Sequence, residues 1–288
     1  MATVMIRGSQ IGRDFRCAEA DMLNFDIDVV LDLLLHGHSD GIVAYVIRGA
    51  ADPKLCRSVH ENFTRAIESI GSQRGLDQHV RTDQIGSTQF EKGGREYIDS
   101  TLQVQQQMLS LFDGMTSAQV SAFMLDNVLQ QGFLRRGFHF GPARYKSAYA
   151  NHCTVRAWLD NGQMSLHPHE DVSQIEKVRA DEFEIEAIEN TISFNVCVSR
   201  TGSGGEAVIW DLRPSPQWRR SLGVFDRGYP YPLDALDDVQ TISLQLEPGD
   251  CYFMNASLLH GVRPTSGERV TAGRFLGVIP GNRVVFWT

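Results

Sequence analysis

The chain has 288 residues, 42% of them hydrophobic and 22% charged, which is ordinary for a globular protein and long enough to bury a substantial core. Its formal net charge of −8 argues against a nucleic-acid or anionic-membrane partner, which would call for clustered Lys and Arg. No apolar run approaches the roughly 20 residues of a membrane span, and the start, Met1 to Arg7, lacks the apolar core of a signal peptide.

Residues 1 to about 40 carry a polar lead-in, then Val29–Leu35, an apolar run that reads as a short helix. His36-Gly37-His38 follows and reads as a helix end and loop rather than a metal pair. Gly41–Gly49 is a β-branched run bounded by glycines, which is a strand signal. Asp52 is placed to cap a helix with Pro53 at its first position. Leu55, Val59, Phe63, Ile67 and Ile70 then repeat at helical spacing over 53–70. Residues 71–98, with Gly71, Gly75, Gly86, Gly93 and Gly94, read as a long irregular segment, and such segments often cover active sites. A helix starting at Asp99 or Ser100 runs to Phe112. Another starts at Thr116 or Ser117 and ends near Gly132.

From about residue 144 strand-like segments take over. Val155–Leu159 is a strand, 160–162 a turn, and 163–171 an extended stretch. Residues 184–189 alternate weakly. Residues 191–199 alternate strongly, and Thr201–Gly205 is a tight, mobile turn. Glu206–Trp210 is a strand, 211–238 an inserted loop rich in Pro, Trp and Tyr, and Thr241–Leu246 another strand. Cys251–Met254, Arg274–Ile279 and Val284–Trp287 complete the set. Helices first and then many short strands at turn spacing predict a mainly β sandwich or barrel with a helical buttress. The expected organisation is one domain over 1–288, with a mostly helical front half at 1–143 that holds the first strand and a β core at 144–288. The five cysteines, Cys17, Cys56, Cys153, Cys197 and Cys251, are scattered and form no C-x-x-C pair. They read as reduced thiols of a cytoplasmic protein.

Chemistry concentrates in Ser165-Leu166-His167-Pro168-His169-Glu170-Asp171. In an extended chain, side chains at i, i+2 and i+4 share a face, so His167, His169 and Asp171 would point one way. A His-x-carboxylate pair with one distant His makes a facial triad that leaves positions open on Fe(II). Leu259-His260-Gly261 supplies an imidazole at a strand end, and Gly267-Glu268-Arg269-Val270-Thr271 follows it. Arg269 can grip a carboxylate with a forked pair of N–H groups, and Thr271, on the same strand face, can add a hydroxyl.

His-x-Asp, a Pro-Gly-Asp turn, a strand ending in His and then Arg-x-Thr is the order found in Fe(II)/2-oxoglutarate-dependent dioxygenases, which this chain resembles over about 150–288. The resemblance implies a double-stranded β-helix, the cupin-like jelly roll. It implies His169, Asp171 and His260 as iron ligands and Arg269 with Thr271 on 2-oxoglutarate. It also implies molecular oxygen as co-substrate and release of succinate and CO2, with hydroxylation of an unactivated C–H, or desaturation or ring closure, of an amino acid or secondary metabolite. Thr154-Val155-Arg156, Gly205–Leu212, His260–Arg269 and Val284–Trp287 are similar to the carrier-independent indole-alkaloid halogenases of this superfamily, in which a small residue replaces the carboxylate ligand. An ungapped match puts His167 on the halogenase ligand His and His169 on the small residue. A two-residue slip puts His169 and Asp171 on the usual pair and makes His167 a supporting or substrate-contacting group, and this second register is favoured. Neither leaves a small residue for chloride, which disfavours halogenation. Arg156, Trp158, Asn195, Trp210 and Arg213 are candidate substrate-lining residues. Two other readings stay open: a cupin-type metalloenzyme using His167, His169, Glu176 and His260 without 2-oxoglutarate, and a non-catalytic jelly-roll binding protein. Self-association is not decided by the sequence.

Overall fold

The computed structural model describes residues 7–72, 82–160 and 162–288. The lead-in at 1–6, residues 73–81 of the Gly-rich segment and Asn161 of the expected turn lie outside the described residues.

The architecture is mixed α/β and dominated by two largely antiparallel sheets. A nine-stranded sheet runs in order through Arg16–Asp21, Ile42–Arg48, Cys251–Asn255, Ile192–Arg200, Glu268–Ile279, Arg283–Trp287 and His139–Pro142. Thr154–Leu159 pairs with the first part of the long strand Glu268–Ile279, and Thr82–Ile85 pairs with it in turn. Only the first and last pairings of the main path are parallel. A four-stranded sheet holds, in order, Thr241–Leu244, Ala207–Trp210, His260–Val262 and Leu166–His169.

Strand periodicity sorts the side chains of the large sheet. Val155 and Ala157, Phe194 and Val196, Cys251 and Phe253, and Val270 and Ala272 face the helices and form the main core with Val30, Leu33, Phe63 and Phe133. Their neighbours Arg156 and Trp158, Ser193 and Asn195, Tyr252 and Met254, and Arg269 and Thr271 face a cavity, which the small sheet closes with Leu166, His169, Ala207 and His260. One face of each strand is therefore structural and the other carries chemistry.

The helices Ile27–His36 and Pro53–Ile70 form as their caps require. Asp26 accepts from the Asp28 N–H, Asp52 accepts from the Lys54 N–H, and Gly37 (φ +79°) ends the first helix by donating to the Leu33 carbonyl. His38 accepts from the Gly41 N–H, so His36-Gly37-His38 is the helix end and loop that was expected. Three expectations need correction. The third helix starts at Gly94, before Asp99, and is followed by a separate Gln105–Ser110 helix. The expected fourth helix is two, Ser117–Phe123 and Asp126–Arg135, separated where Leu125 takes a left-handed φ of 54°. Gly132 lies inside the second of these and does not end it. A Cβ there would come within 2.8 Å of Ile27, so the glycine permits close helix contact. The weak strand at 184–189 is a 3-10 turn, Glu184–Ala187, whose Glu184 carboxylate is tied to Arg144 and Arg283. No helix among the described residues is long and apolar enough to cross a membrane.

Candidate metal centre and cavity

The strand Leu166–His169 pairs with His260–Val262 through His169 opposite His260 and Leu166 opposite Val262, with a register shift between them. Three steps on one strand span two on the other, so the motif strand carries a bulge. The bulge breaks simple alternation: Leu166 and His169 both line the cavity, whereas His167 does not. After His169 the chain leaves the strand, and Asp171 sits at the N-cap of the helix Val172–Lys177. The expected extended run with His167, His169 and Asp171 on one face is thus corrected. The contribution of His167 to the site is its carbonyl, 3.0 Å from His169 Nδ1.

One side-chain donor atom each from His169, Asp171 and His260 lies within 4.8 Å of the others, the group among the described residues able to hold an ion. His260 Nε2 is 3.2 Å from Asp171 Oδ2, close to the separation of about 3 Å between adjacent ligand atoms on an ion bonded at about 2.1 Å. His169 Nδ1 meets the His167 carbonyl, and His260 Nδ1 meets the Leu258 carbonyl at 2.9 Å. A carbonyl only accepts, so each Nδ1 carries its proton, and in the neutral ring the Nε2 lone pair is then left for the cluster. Gln174 Nε2 donates to Asp171 Oδ1 at 2.6 Å, which leaves Oδ2 toward the imidazoles. Burial, then repulsion from His260, push the His169 imidazole down to about 3. Burial raises the Asp171 carboxyl, but its bond to His260 and its electrostatic interactions with His260, His169 and Arg156 more than offset this, and it lies below the usual carboxylate range. His169 therefore presents a neutral imidazole and Asp171 an ionised carboxylate, the protonation states that bind a cation.

Farther along the same sheet face, Arg269 is buried at 3% exposure. Its Nη1 donates to the Gly205 carbonyl at 2.9 Å, while Nη2 is buried with no hydrogen-bond partner among the described residues. Thr271 Oγ1 accepts from Trp158 Nε1 at 3.2 Å, so its own hydrogen is available to an acceptor in the cavity. A buried cationic donor left unmatched is costly unless a ligand completes it, and an anionic carboxylate does so.

The cavity, about 110 Å³, also takes in Arg156, Trp158 and Asn195, as expected of lining residues. Trp210 and Arg213 are not brought to it. On the strand Ala207–Trp210, Ala207 lines the cavity, so Trp210 falls on the opposite face, packed in a cluster with Trp218 and Tyr231. Arg213 donates to Asn190 Oδ1 and to the Glu189 carbonyl. Glu176 is paired with Arg179 at 2.6 Å and stands outside the cluster, so the three-His or His/Glu alternative is not assembled. Residues the sequence did not single out complete the walls. Tyr252 and Met254 could have been found from the alternation of Cys251–Met254. Gln174 follows Asp171 by three positions, but its polar side chain carries no signal in isolation. Phe90, Arg227 and Tyr229 arrive on irregular segments.

The inserted segment 211–238 is a brace rather than a plain loop. Its helix Pro216–Ser221 presents Arg219 to Glu170 at 2.9 Å, with both side chains almost fully buried. The Glu170 N–H donates to the Gly228 carbonyl and the Tyr231 N–H to the Pro168 carbonyl.

A family model described as "Carrier-protein-independent halogenase WelO5" matches residues 38–288. The L-isoleucine 3(1)-dioxygenase of Pantoea ananatis (strain AJ13355) is 42% identical over 268 residues, covering 93% of this chain and 90% of that protein. A crystal structure of an N-substituted L-amino acid dioxygenase from Burkholderia ambifaria AMMD superposes with a TM-score of 0.55 at 14% identity, covering 92% of each chain.

Proposed function

Since the chain belongs to the family of the carrier-protein-independent halogenase WelO5, within the Fe(II)/2-oxoglutarate-dependent dioxygenases, we propose that it hydroxylates the side chain of a small aliphatic amino acid. The protein is an Fe(II)/2-oxoglutarate-dependent oxygenase that oxidises a C–H bond of a small molecule. The relative named for L-isoleucine supports this substrate class. The two facing sheets are read as a double-stranded β-helix and the chain as a single catalytic domain, supported by the superposition above.

In this reading His169, Asp171 and His260 hold Fe(II), and Arg269 Nη2 with the Thr271 hydroxyl holds the distal carboxylate of 2-oxoglutarate. Bound Fe(II) and 2-oxoglutarate supply oxygen activation, coupled to conversion of the keto acid to succinate and CO2 and to removal of hydrogen from the substrate. The chain itself does the placing. Carbonyls of residues 167 and 258 fix the two imidazoles, Gln174 fixes the carboxylate, and Arg156, Trp158 and Asn195 wall the substrate space. Asp171 carries the choice of hydroxylation over halogenation, because a carboxylate occupies the place that a halide needs.

The observation that carries the proposal is the pairing of this His169–Asp171–His260 cluster with the buried, unmatched Nη2 of Arg269 in one cavity. The test is anaerobic. Fe(II) plus 2-oxoglutarate added to metal-free protein should give the weak visible band of the chelate, and a panel of aliphatic L-amino acids in air should then yield succinate and hydroxylated product. A band insensitive to Arg269→Ala, or Asp171→Ala with full iron affinity and activity, would overturn the site assignment.

A further inference from the structure

Two irregular segments bring further side chains to the cavity that holds His169, Asp171 and His260. Phe90 and Tyr229 both line it and pack edge to face with ring centroids 6.4 Å apart. With Trp158, Val262 and Leu166 they form one small apolar cluster. Beside them, Arg227, also a lining residue, holds Glu91 at 2.7 Å, with the two side chains 54% and 46% exposed. The cavity thus holds an apolar cluster on one side, and Arg227, one of its lining residues, reaches from there to the half-exposed Glu91.

Of the other charged residues that line the cavity, Arg156 stands on the face of the large sheet, and three are committed. Glu170 is bonded to Arg219 and to the amides of Val172 and Ser173. Asp171 belongs to the metal cluster. Arg269 is assigned above to 2-oxoglutarate. An exposed pair such as Arg227–Glu91 contributes little to stability, so opening it is easy. A ligand that carries both charges on adjacent atoms can replace each partner of the pair with one of its own groups.

We propose that Arg227 and Glu91 form the substrate clamp: Arg227 takes the α-carboxylate and Glu91 the α-ammonium of a free amino acid, whose aliphatic side chain enters the box of Phe90, Tyr229, Trp158, Val262 and Leu166. The inference rests on the amino-acid reading above and deepens it. The clamp makes a free, unblocked α-amino acid the required substrate form and directs oxidation to the side chain rather than to the α-carbon.

The experiment uses the full chain loaded with Fe(II) and 2-oxoglutarate, after checking that the chelate band is unchanged in each variant. L-Isoleucine, its carboxamide and its des-amino acid are compared by anaerobic perturbation of that band and by KM and kcat for succinate release. For L-isoleucine, Arg227→Gln and Glu91→Gln should each raise KM about 10- to 100-fold, with a smaller change in kcat. Selectivity is the decisive readout. Arg227→Gln should abolish the preference for the acid over the carboxamide and keep the preference for the amine. Glu91→Gln should do the reverse. Variants that weaken all three ligands equally, or shift KM less than threefold, would show that the pair only ties the two segments together and overturn the clamp. A wild-type enzyme active on an amine-free substrate and on no amino acid would instead remove the amino-acid reading, and the clamp with it.

Discussion

Replacing Arg219 by methionine removes the cation from a pair in which the side chains are 2% and 0% exposed. Methionine keeps the volume and loses the charge, so Glu170 stays buried without its counter-ion. Removing one partner of a buried pair costs about 3–5 kcal/mol. In a chain of this size that is a fall in Tm of roughly 5–8 °C. The sign of the pH dependence follows from Glu170. Burial raises its carboxyl above the ordinary value, opposed chiefly by Arg219 and then by the amides of Ser173 and Val172. A carboxyl raised in the folded state favours folding below its unfolded value, and that contribution is lost as pH rises through the folded value. Without Arg219 the folded value rises further. The deficit of Arg219→Met should therefore be small below the ordinary carboxylate range and grow as pH rises above it. Thermal unfolding of the metal-free protein across that range measures it, and the double variant with Glu170→Gln should recover part of the loss. A deficit that stays constant with pH, or a double variant no more stable than Arg219→Met alone, would refute the buried-charge argument.

Gln174→Leu should weaken Fe(II) binding about 10- to 100-fold, because Asp171 Oδ1 loses its donor at 2.6 Å; anaerobic metal titration checks this, and an unchanged affinity would mean that Asp171 is held by other contacts. Trp158→Phe removes the donor to Thr271 and should loosen 2-oxoglutarate by about 1 kcal/mol, read as a roughly fivefold rise in its Kd. Gly273→Ala places a Cβ 2.0 Å from Asn195 Oδ1, so Asn195 must leave its position; the expected destabilisation is about 1–3 kcal/mol, and denaturant unfolding with an unchanged midpoint would contradict it. The five cysteines are free, and burial pushes Cys17, Cys56 and Cys153 up to about 12. An aromatic disulfide reagent at pH 8 should therefore label the native protein slowly and all five thiols quickly in guanidinium.

What could be read from the sequence followed from local rules. Pro53 and Asp52 marked a helix start because a cap needs an acceptor and the first helical turn tolerates a missing N–H. The alternation in Ile192–Arg200 and Cys251–Asn255 marked strands with one apolar face. What was missed depended on tertiary contact. The strand Arg16–Asp21 is half-exposed and gains its place only by pairing in parallel with Ile42–Arg48. Gly132 looked like a stop, yet it is a point of close approach to Ile27. Trp210 reads as a lining candidate because it lies near the mobile turn, although the parity that puts Ala207 inside puts Trp210 outside.

The ligand register shows where parity itself stops being informative. A slip of two along an ideal strand keeps the face, so alternation could not choose between His167-x-His169 and His169-x-Asp171. The structure departs from the ideal strand at just this place. One extra residue between the His169–His260 and Leu166–Val262 pairs turns His167 away, and the Asp171 N–H bonds to the Ala256 carbonyl as the chain enters its helix. These two devices set the carboxylate 3.2 Å from His260 Nε2 and leave the His167 carbonyl to orient His169. A bulge has no residue signature in Leu-His-Pro-His, apart from a proline whose missing N–H suits an interrupted ladder. The chemistry of the centre was therefore visible in its residue types, while its geometry depended on where the ladder breaks.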